Sequence, residues 1–147
     1  MIYNLSSEED TIKVAEIIAK KSKIGDVITL TGELGSGKTF FANAFINYFL
    51  DRNGMDGVNV TSPTFNLLKI YNVGNFDIYH FDLYRIKDKK ELLELDFDSA
   101  FANISLIEWP EIASDFLPKK FVKNIKITIG ADGRILEVEN SNSLNSS

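Results

Sequence analysis

The sequence predicts a three-layer α/β fold built on a mixed β-sheet, and three observations lead there. A short β-branched run at 27–31 passes through a glycine-rich turn into an amphipathic helix, the order in which an α/β unit is assembled. A second apolar run at 104–107 suits a strand buried on both faces. Two further pairs of β-rich stretches are each joined across a glycine-containing turn, which predicts hairpins extending a sheet whose central strand is 27–31.

Taken in order, Ser6-Ser7-Glu8-Glu9-Asp10 supplies a hydroxyl and carboxylates that cap free amides and suit the positive end of a helix. Ile12, Ala15 and Ala19 recur at helical spacing, and Lys20, Lys21 and Lys23 precede Gly25, so the first helix is expected over about 7–22. After the strand 27–31 and the turn 32–37, Phe41, Ala44, Phe45, Tyr48 and Phe49 form an apolar stripe on a helix over 38–51, closed by Asn53-Gly54. That stripe reads as core packing, not as a platform for a base. Strands are expected at 58–60, 65–71 and 76–84, the last two a hairpin about Gly74-Asn75. Residues 88–96 carry Leu92, Leu93 and Leu95 among charges and read as a short helix, 104–107 as a strand, and Pro110 as its breaker. Residues 121–129 and 134–138 alternate across Asp132-Gly133 as a second hairpin. One domain is expected over 1–139, and 140–147 should be a solvated polar tail.

Composition narrows the chemistry. The 147 residues are 44% hydrophobic and 25% charged, as in ordinary globular proteins. Asp and Glu outnumber Lys and Arg by 21 to 16, a net charge of −5, so any role with RNA is expected to be indirect or to need a partner. Cysteine is absent and His80 is the single histidine, which excludes thiolate zinc sites, thiol nucleophiles and His clusters and leaves oxygen ligands for any metal. The first ten residues are polar and acidic, and no apolar run approaches the ~18 residues a membrane span needs, so a cytoplasmic protein is expected.

Gly32-Glu33-Leu34-Gly35-Ser36-Gly37-Lys38-Thr39 satisfies G-x-x-x-x-G-K-[ST] at each fixed position, directly after a strand and opening a helix. Chance would produce the fixed letters in roughly half a percent of chains this long. The glycines let backbone amides point at a polyphosphate, the helix N-terminus adds partial positive charge, Lys38 reaches terminal phosphates and Thr39 can ligate Mg²⁺. The fold is therefore expected to be of the P-loop NTPase kind. Such a loop needs a carboxylate at a neighbouring strand end. Glu108, after 104–107 and before Pro110, is favoured for the metal, and Asp82 then suits the attacking water. Thr61, Ser62 and Thr64 sit in a loop whose hydroxyls can sense a terminal phosphate. His80 is expected to be a packed, hydrogen-bonded strand residue.

Gly-Glu-Leu-Gly-Ser-Gly-Lys-Thr, Ser-Pro-Thr-Phe, His-Phe-Asp-Leu-Tyr-Arg and Leu-Ile-Glu-Trp-Pro-Glu, in that order and spacing, resemble the bacterial TsaE (YjeE) family over about 3–140. The resemblance implies a small ATPase, using ATP and Mg²⁺, needed to make threonylcarbamoyladenosine beside the anticodon of tRNAs that read codons beginning with A. It also implies work with the TsaB–TsaD complex, which carries the transferase chemistry, and contact with tRNA only through that complex. Carried over by position, the phosphate loop falls on Gly35, Ser36, Gly37, Lys38, Thr39 and Phe40, the magnesium ligands on Thr39 and Glu108, the aspartate needed for activity on Asp82, and the tryptophan beside the nucleotide on Trp109. Glu8 and Thr11 match the part near adenine. Phe40 stands where some members have a second threonine, which leaves only its backbone amide for a phosphate.

The rival reading is a small-molecule kinase on the same loop, yet kinases close several cations over the phosphoryl group and this chain has only Arg52, Arg85 and Arg134. Arg85 is the one expected clamp. A guanine-reading Asn-Lys-x-Asp string does not occur, and a nucleotide-dependent interaction module is the remaining alternative.

Overall fold

A computed structural model describes residues 1–140. The described chain runs β1 (Ile2–Leu5), α1 (Glu8–Lys21), β2 (Val27–Thr31), α2 (Lys38–Arg52), β3 (Leu68–Asn72), β4 (Asp77–Asp82), α3 (Phe97–Phe101), β5 (Ile104–Glu108), β6 (Val122–Gly130) and β7 (Gly133–Asn140). Short 3₁₀ helices at Lys89–Glu94, Pro110–Phe116 and Lys119–Phe121 fill the connections. Seven strands join one sheet in the order β1-β7-β6-β2-β5-β4-β3. β2 is central and pairs in parallel with both β5 and β6, while β3–β4 and β6–β7 are antiparallel hairpins. This is the expected mixed sheet with the loop-bearing strand in the middle.

Alternation along the strands builds the three layers. Ile28, Leu30, Leu106 and Ile125 face α1 and α2, where they meet Val14, Ile18, Phe41 and Phe45. Val27, Phe81, Ile107 and Val122 face the other way, onto Leu92, Ala100 and Ala113 of the short helices. Ser7 caps α1 by accepting from the Asp10 amide at 3.3 Å, and the Asp10 carboxylate accepts in turn from the Ser6 amide and hydroxyl at 2.9 and 2.8 Å. Those two Ser6 contacts hold the Asp10 carboxyl below its usual range.

Several expectations need correction. Ile12 is exposed, and the buried stripe of α1 is Thr11, Val14, Ala15, Ile18 and Ala19. Residues 58–60 form no strand, because their backbone is satisfied by side chains of α2. The Asn47 amide accepts from Val58 N–H and donates to Val58 C=O, both at 2.9 Å, and Asn43 Oδ1 accepts from Val60 N–H at 2.9 Å. The strand expected at 65–71 starts only at Leu68, since Leu67 adopts φ 68° in a turn closed by its N–H to Pro63 C=O at 2.6 Å. The strand expected at 76–84 ends at Asp82, where Leu83 N–H turns to Glu108 C=O. Residues 88–96 do give the expected short helix, of 3₁₀ type over Lys89–Glu94 and capped by Asp88, but α3 follows it unforeseen. β1 was also unforeseen: only Leu5 of its four residues is buried, so it carries no readable hydrophobic pattern. Of the polar tail expected at 140–147, Asn140 closes β7 and the rest lies outside the described residues.

β1 can pair with β7 because Gly133 sits at φ 137°, where a Cβ would come 2.4 Å from the Leu5 carbonyl oxygen. Gly133→Ala should therefore destabilise the protein by about 1–3 kcal/mol. Urea unfolding measures this, and an unchanged midpoint would contradict the close approach.

Candidate functional site

The site forms where the parallel strands deliver their carboxyl ends to the glycine-rich loop. Gly32 leaves β2 at φ 147°, and a Cβ there would lie 2.4 Å from the Ile127 carbonyl oxygen, so only glycine lets the chain turn against β6. α2 then opens at Gly37 in a left-handed conformation, and its first helical hydrogen bond runs from Phe41 N–H to Gly37 C=O at 2.9 Å. The amides of Lys38, Thr39 and Phe40 thus have no helical carbonyl one turn earlier to donate to, as at any helix N-terminus.

Lys38 is buried, and its Nζ donates to the carbonyls of Gly32 and Glu33 at 2.6 and 3.0 Å while lying 4.1 Å from the centroid of the Trp109 ring. Burial lowers its pKa, and the charges of Glu108, Asp82 and Glu111 work against that shift. Trp109 holds φ 56°, a left-handed conformation that costs a bulky residue about 1–3 kcal/mol. Its indole is packed on Tyr84, with ring centroids 4.8 Å apart.

Glu108 ends β5 directly beside Leu30 of β2 and opposite Asp82 of β4. Both acids are buried. The Thr39 hydroxyl donates to Glu108 Oε1 and Oε2 at 3.0 and 3.1 Å, and His80 Nε2 is 2.7 Å from Oε2. His80 is thus the packed, hydrogen-bonded histidine that was expected. Asp82 Oδ2 accepts from the hydroxyls of Ser62 and Thr64, and Oδ1 accepts from Tyr84 N–H at 3.0 Å. Thr61 is exposed and lines neither of the clefts below.

These groups surround a cleft of about 280 Å³ that Gly35, Lys38, Thr39, Asp82, Glu108 and Trp109 help to line. A second cleft of about 360 Å³ lies against the other side of Gly37 and Phe40 and brings in Ser7, Glu8, Thr11 and Arg134. The fold therefore gathers the expected site residues around one stretch of α2, with Ser36 buried inside the loop, except for Thr61 and for Arg85, which lies over the Phe65 ring at 4.9 Å. Arg134 is the residue sequence reasoning missed. Its guanidinium donates to Gly35 C=O at 3.1 Å, and its only signal in the sequence was its place after the Asp132-Gly133 turn.

The donor chemistry fits a magnesium polyphosphate. Two buried carboxylates in register against one ammonium leave negative charge beside a threonine hydroxyl, a hard oxygen set of the kind Mg²⁺ takes. Among the described residues no three Asp, Glu or His side chains gather into a metal-binding group, so a cation here would draw further ligands from a substrate and water. The Ser36 hydroxyl, buried with no protein partner, adds a free polar group within the loop.

Comparison with known proteins finds relatives along most of the chain. The family model described as threonylcarbamoyl adenosine biosynthesis protein TsaE matches residues 5–136. The tRNA threonylcarbamoyladenosine biosynthesis protein TsaE of Rickettsia typhi (strain ATCC VR-144 / Wilmington) is 41% identical over 145 residues, covering 97% of each chain. The protein of the same name from Bacillus subtilis (strain 168) is 35% identical over 130 residues, 86% of this chain and 77% of that one. The crystal structure of Bacillus subtilis YdiB superposes with a TM-score of 0.75 at 29% identity, over 99% of this chain and 89% of that one.

Under the expectation that the loop holds Mg-ATP, Lys38→Ala should weaken that binding at least tenfold, about 1.4 kcal/mol, through loss of a charge-assisted contact to phosphate. Calorimetric titration tests this, and an unchanged affinity would remove the loop from the binding site.

Proposed function

The chain belongs to the TsaE family, and from that premise we propose that it is a Mg-dependent P-loop ATPase required for threonylcarbamoyladenosine modification of tRNA. The modified adenosine is the one next to the anticodon in tRNAs reading codons that begin with A, and the protein acts with the TsaB–TsaD complex in the cytoplasm. No helix among the described residues is long and apolar enough to cross a membrane. The observation that carries the proposal is the convergence of Lys38, Thr39, Asp82 and Glu108 on one cleft at the start of α2.

In this mechanism the loop amides and Lys38 bind and orient the phosphates of ATP. Thr39 and Glu108 are the residues to hold magnesium, which when bound neutralises charge on the phosphates. Asp82 accepts a proton from the water that attacks the terminal phosphorus, and ADP leaves. Glu8 and Thr11 flank the nucleoside in the second cleft, which Arg134 also borders, and Trp109 lies beside the nucleotide on the side of Lys38.

Two observations support slow hydrolysis by the isolated protein. Both Asp82 oxygens are engaged by Ser62, Thr64 and Tyr84. No arginine lines the phosphate-side cleft: Arg85 lies over the Phe65 ring at 4.9 Å, Arg52 near the Tyr48 ring at 5.6 Å, and Arg134 on Gly35. Fast phosphoryl transfer needs a cation opposite the developing charge. Docking of the partner complex would complete the site by rearranging 61–64 and the segment around Arg85.

Phosphate release should accordingly be low for the protein alone and rise with the TsaB–TsaD pair, measured with and without tRNA, while tRNA modification over many turnovers should require this protein. A high rate that neither addition changes would contradict the proposal, and a phosphorylated small molecule among the products would identify a kinase instead. Asp82→Asn should keep nucleotide binding and lose hydrolysis in the assembled complex, whereas Glu108→Ala should lose the magnesium dependence of binding together with turnover. Parallel calorimetry and phosphate-release assays distinguish the two, and hydrolysis by Asp82→Asn at the unmodified rate would remove Asp82 from the mechanism.

A further inference from the structure

His80 stands at the middle of β4, paired with Lys69 of β3 and Leu106 of β5, with none of its surface exposed. Neighbouring strand positions on this face of the sheet, such as Ile78 and Leu106, are aliphatic and fully buried. An imidazole in such a setting costs desolvation that a leucine or phenylalanine would not, so its polar contact has to be accounted for. That contact is Nε2 to Glu108 Oε2 at 2.7 Å, and Nδ1 has no hydrogen-bond partner among the described residues.

A carboxylate only accepts, so Nε2 carries the hydrogen and donates it. Thr39 alone cannot orient Glu108, because its one hydroxyl proton is shared between two oxygens at 3.0 and 3.1 Å and does not distinguish them. His80 does distinguish them. It ties Oε2 to the body of the sheet and, among the described residues, leaves Oε1 with no hydrogen bond other than that from the Thr39 hydroxyl.

We infer that His80 is a positioning residue: by holding Oε2 it presents Oε1 of Glu108 toward the Thr39 hydroxyl, and so sets how much magnesium contributes to nucleotide binding. This rests on Glu108 and Thr39 being the magnesium ligands, as proposed above. Partners that orient a ligating carboxylate change metal affinity by about 10- to 100-fold when removed.

The test is calorimetric titration of the full chain with ADP, in excess Mg²⁺ and in EDTA, for the unmodified protein and for His80→Gln, His80→Asn, His80→Phe and Glu108→Ala. The side-chain amide nitrogen of glutamine reaches the place of Nε2, whereas that of asparagine stops near Nδ1. Expected is an unchanged metal-free ADP affinity in all three His80 variants, a magnesium-dependent gain reduced about tenfold or more in His80→Asn and His80→Phe, and recovery of that gain in His80→Gln. Equal behaviour of the Asn and Gln variants, a full magnesium gain in His80→Phe, or a loss of metal-free affinity matching the loss with metal would each overturn the positioning role while leaving the metal ligands in place. The Asn and Gln pair decides the matter if His80→Phe does not fold. No magnesium gain in the unmodified protein, or a gain that Glu108→Ala keeps, would overturn the metal-ligand assignment and this inference with it.

Discussion

Parallel pairing of β2, β5 and β4 sets Leu30 beside Glu108 and Glu108 beside Asp82, and because side chains alternate faces along a strand, this register decides which acids meet the phosphate loop. A slip of one residue would turn both carboxylates to the layer of short helices and bring Ile107 and Phe81 to the loop instead. The register is held by the same alternation that makes the core. Leu30, Leu106 and Ile78 must face α1 and α2 while Val27, Ile107 and Phe81 face the other layer. Hydrophobic burial on both faces therefore fixes the position of the polar groups at the strand ends.

Those polar groups are expensive to keep where they are. Lys38, His80, Asp82 and Glu108 are all buried, and each is retained by partners that replace water. Lys38 has two carbonyls and an indole face, Glu108 a hydroxyl and an imidazole, Asp82 two hydroxyls and an amide. A buried polar network is costly wherever it is left unpaired, as at His80 Nδ1 among the described residues. The left-handed Trp109 adds backbone strain at the same point, consistent with a site whose geometry is held by its surroundings.

The second cleft depends on chain segments far apart in sequence. Pairing of β1 with β7 brings the start of α1, with Glu8 and Thr11, against the turn that carries Arg134. The hydrogen bond from Arg134 to Gly35 then joins the C-terminal hairpin to the phosphate loop. An edge strand of four residues, mostly exposed, thereby shapes the side of the site where a nucleoside is proposed to lie.

Periodicity and local chemistry were legible without coordinates because they depend on neighbours in the chain. The phosphate loop between strand and helix, the aromatic stripe of α2, both hairpins and the carboxylate before Pro110 all follow from spacing within a few residues. The backbone of 58–60 was misjudged because its hydrogen bonds go to Asn43 and Asn47, side chains on another element. β1 was missed because an edge strand needs no apolar face of its own when its partner supplies the hydrogen bonds. By itself the sequence determined the central elements, the loop and the residue types a phosphate and a hard cation require. Tertiary structure alone decided the strand order, the opposition of Asp82 and Glu108, the approach of Arg134 and the grip of His80 on Glu108, because each is a contact between segments whose separation in sequence leaves no periodic trace.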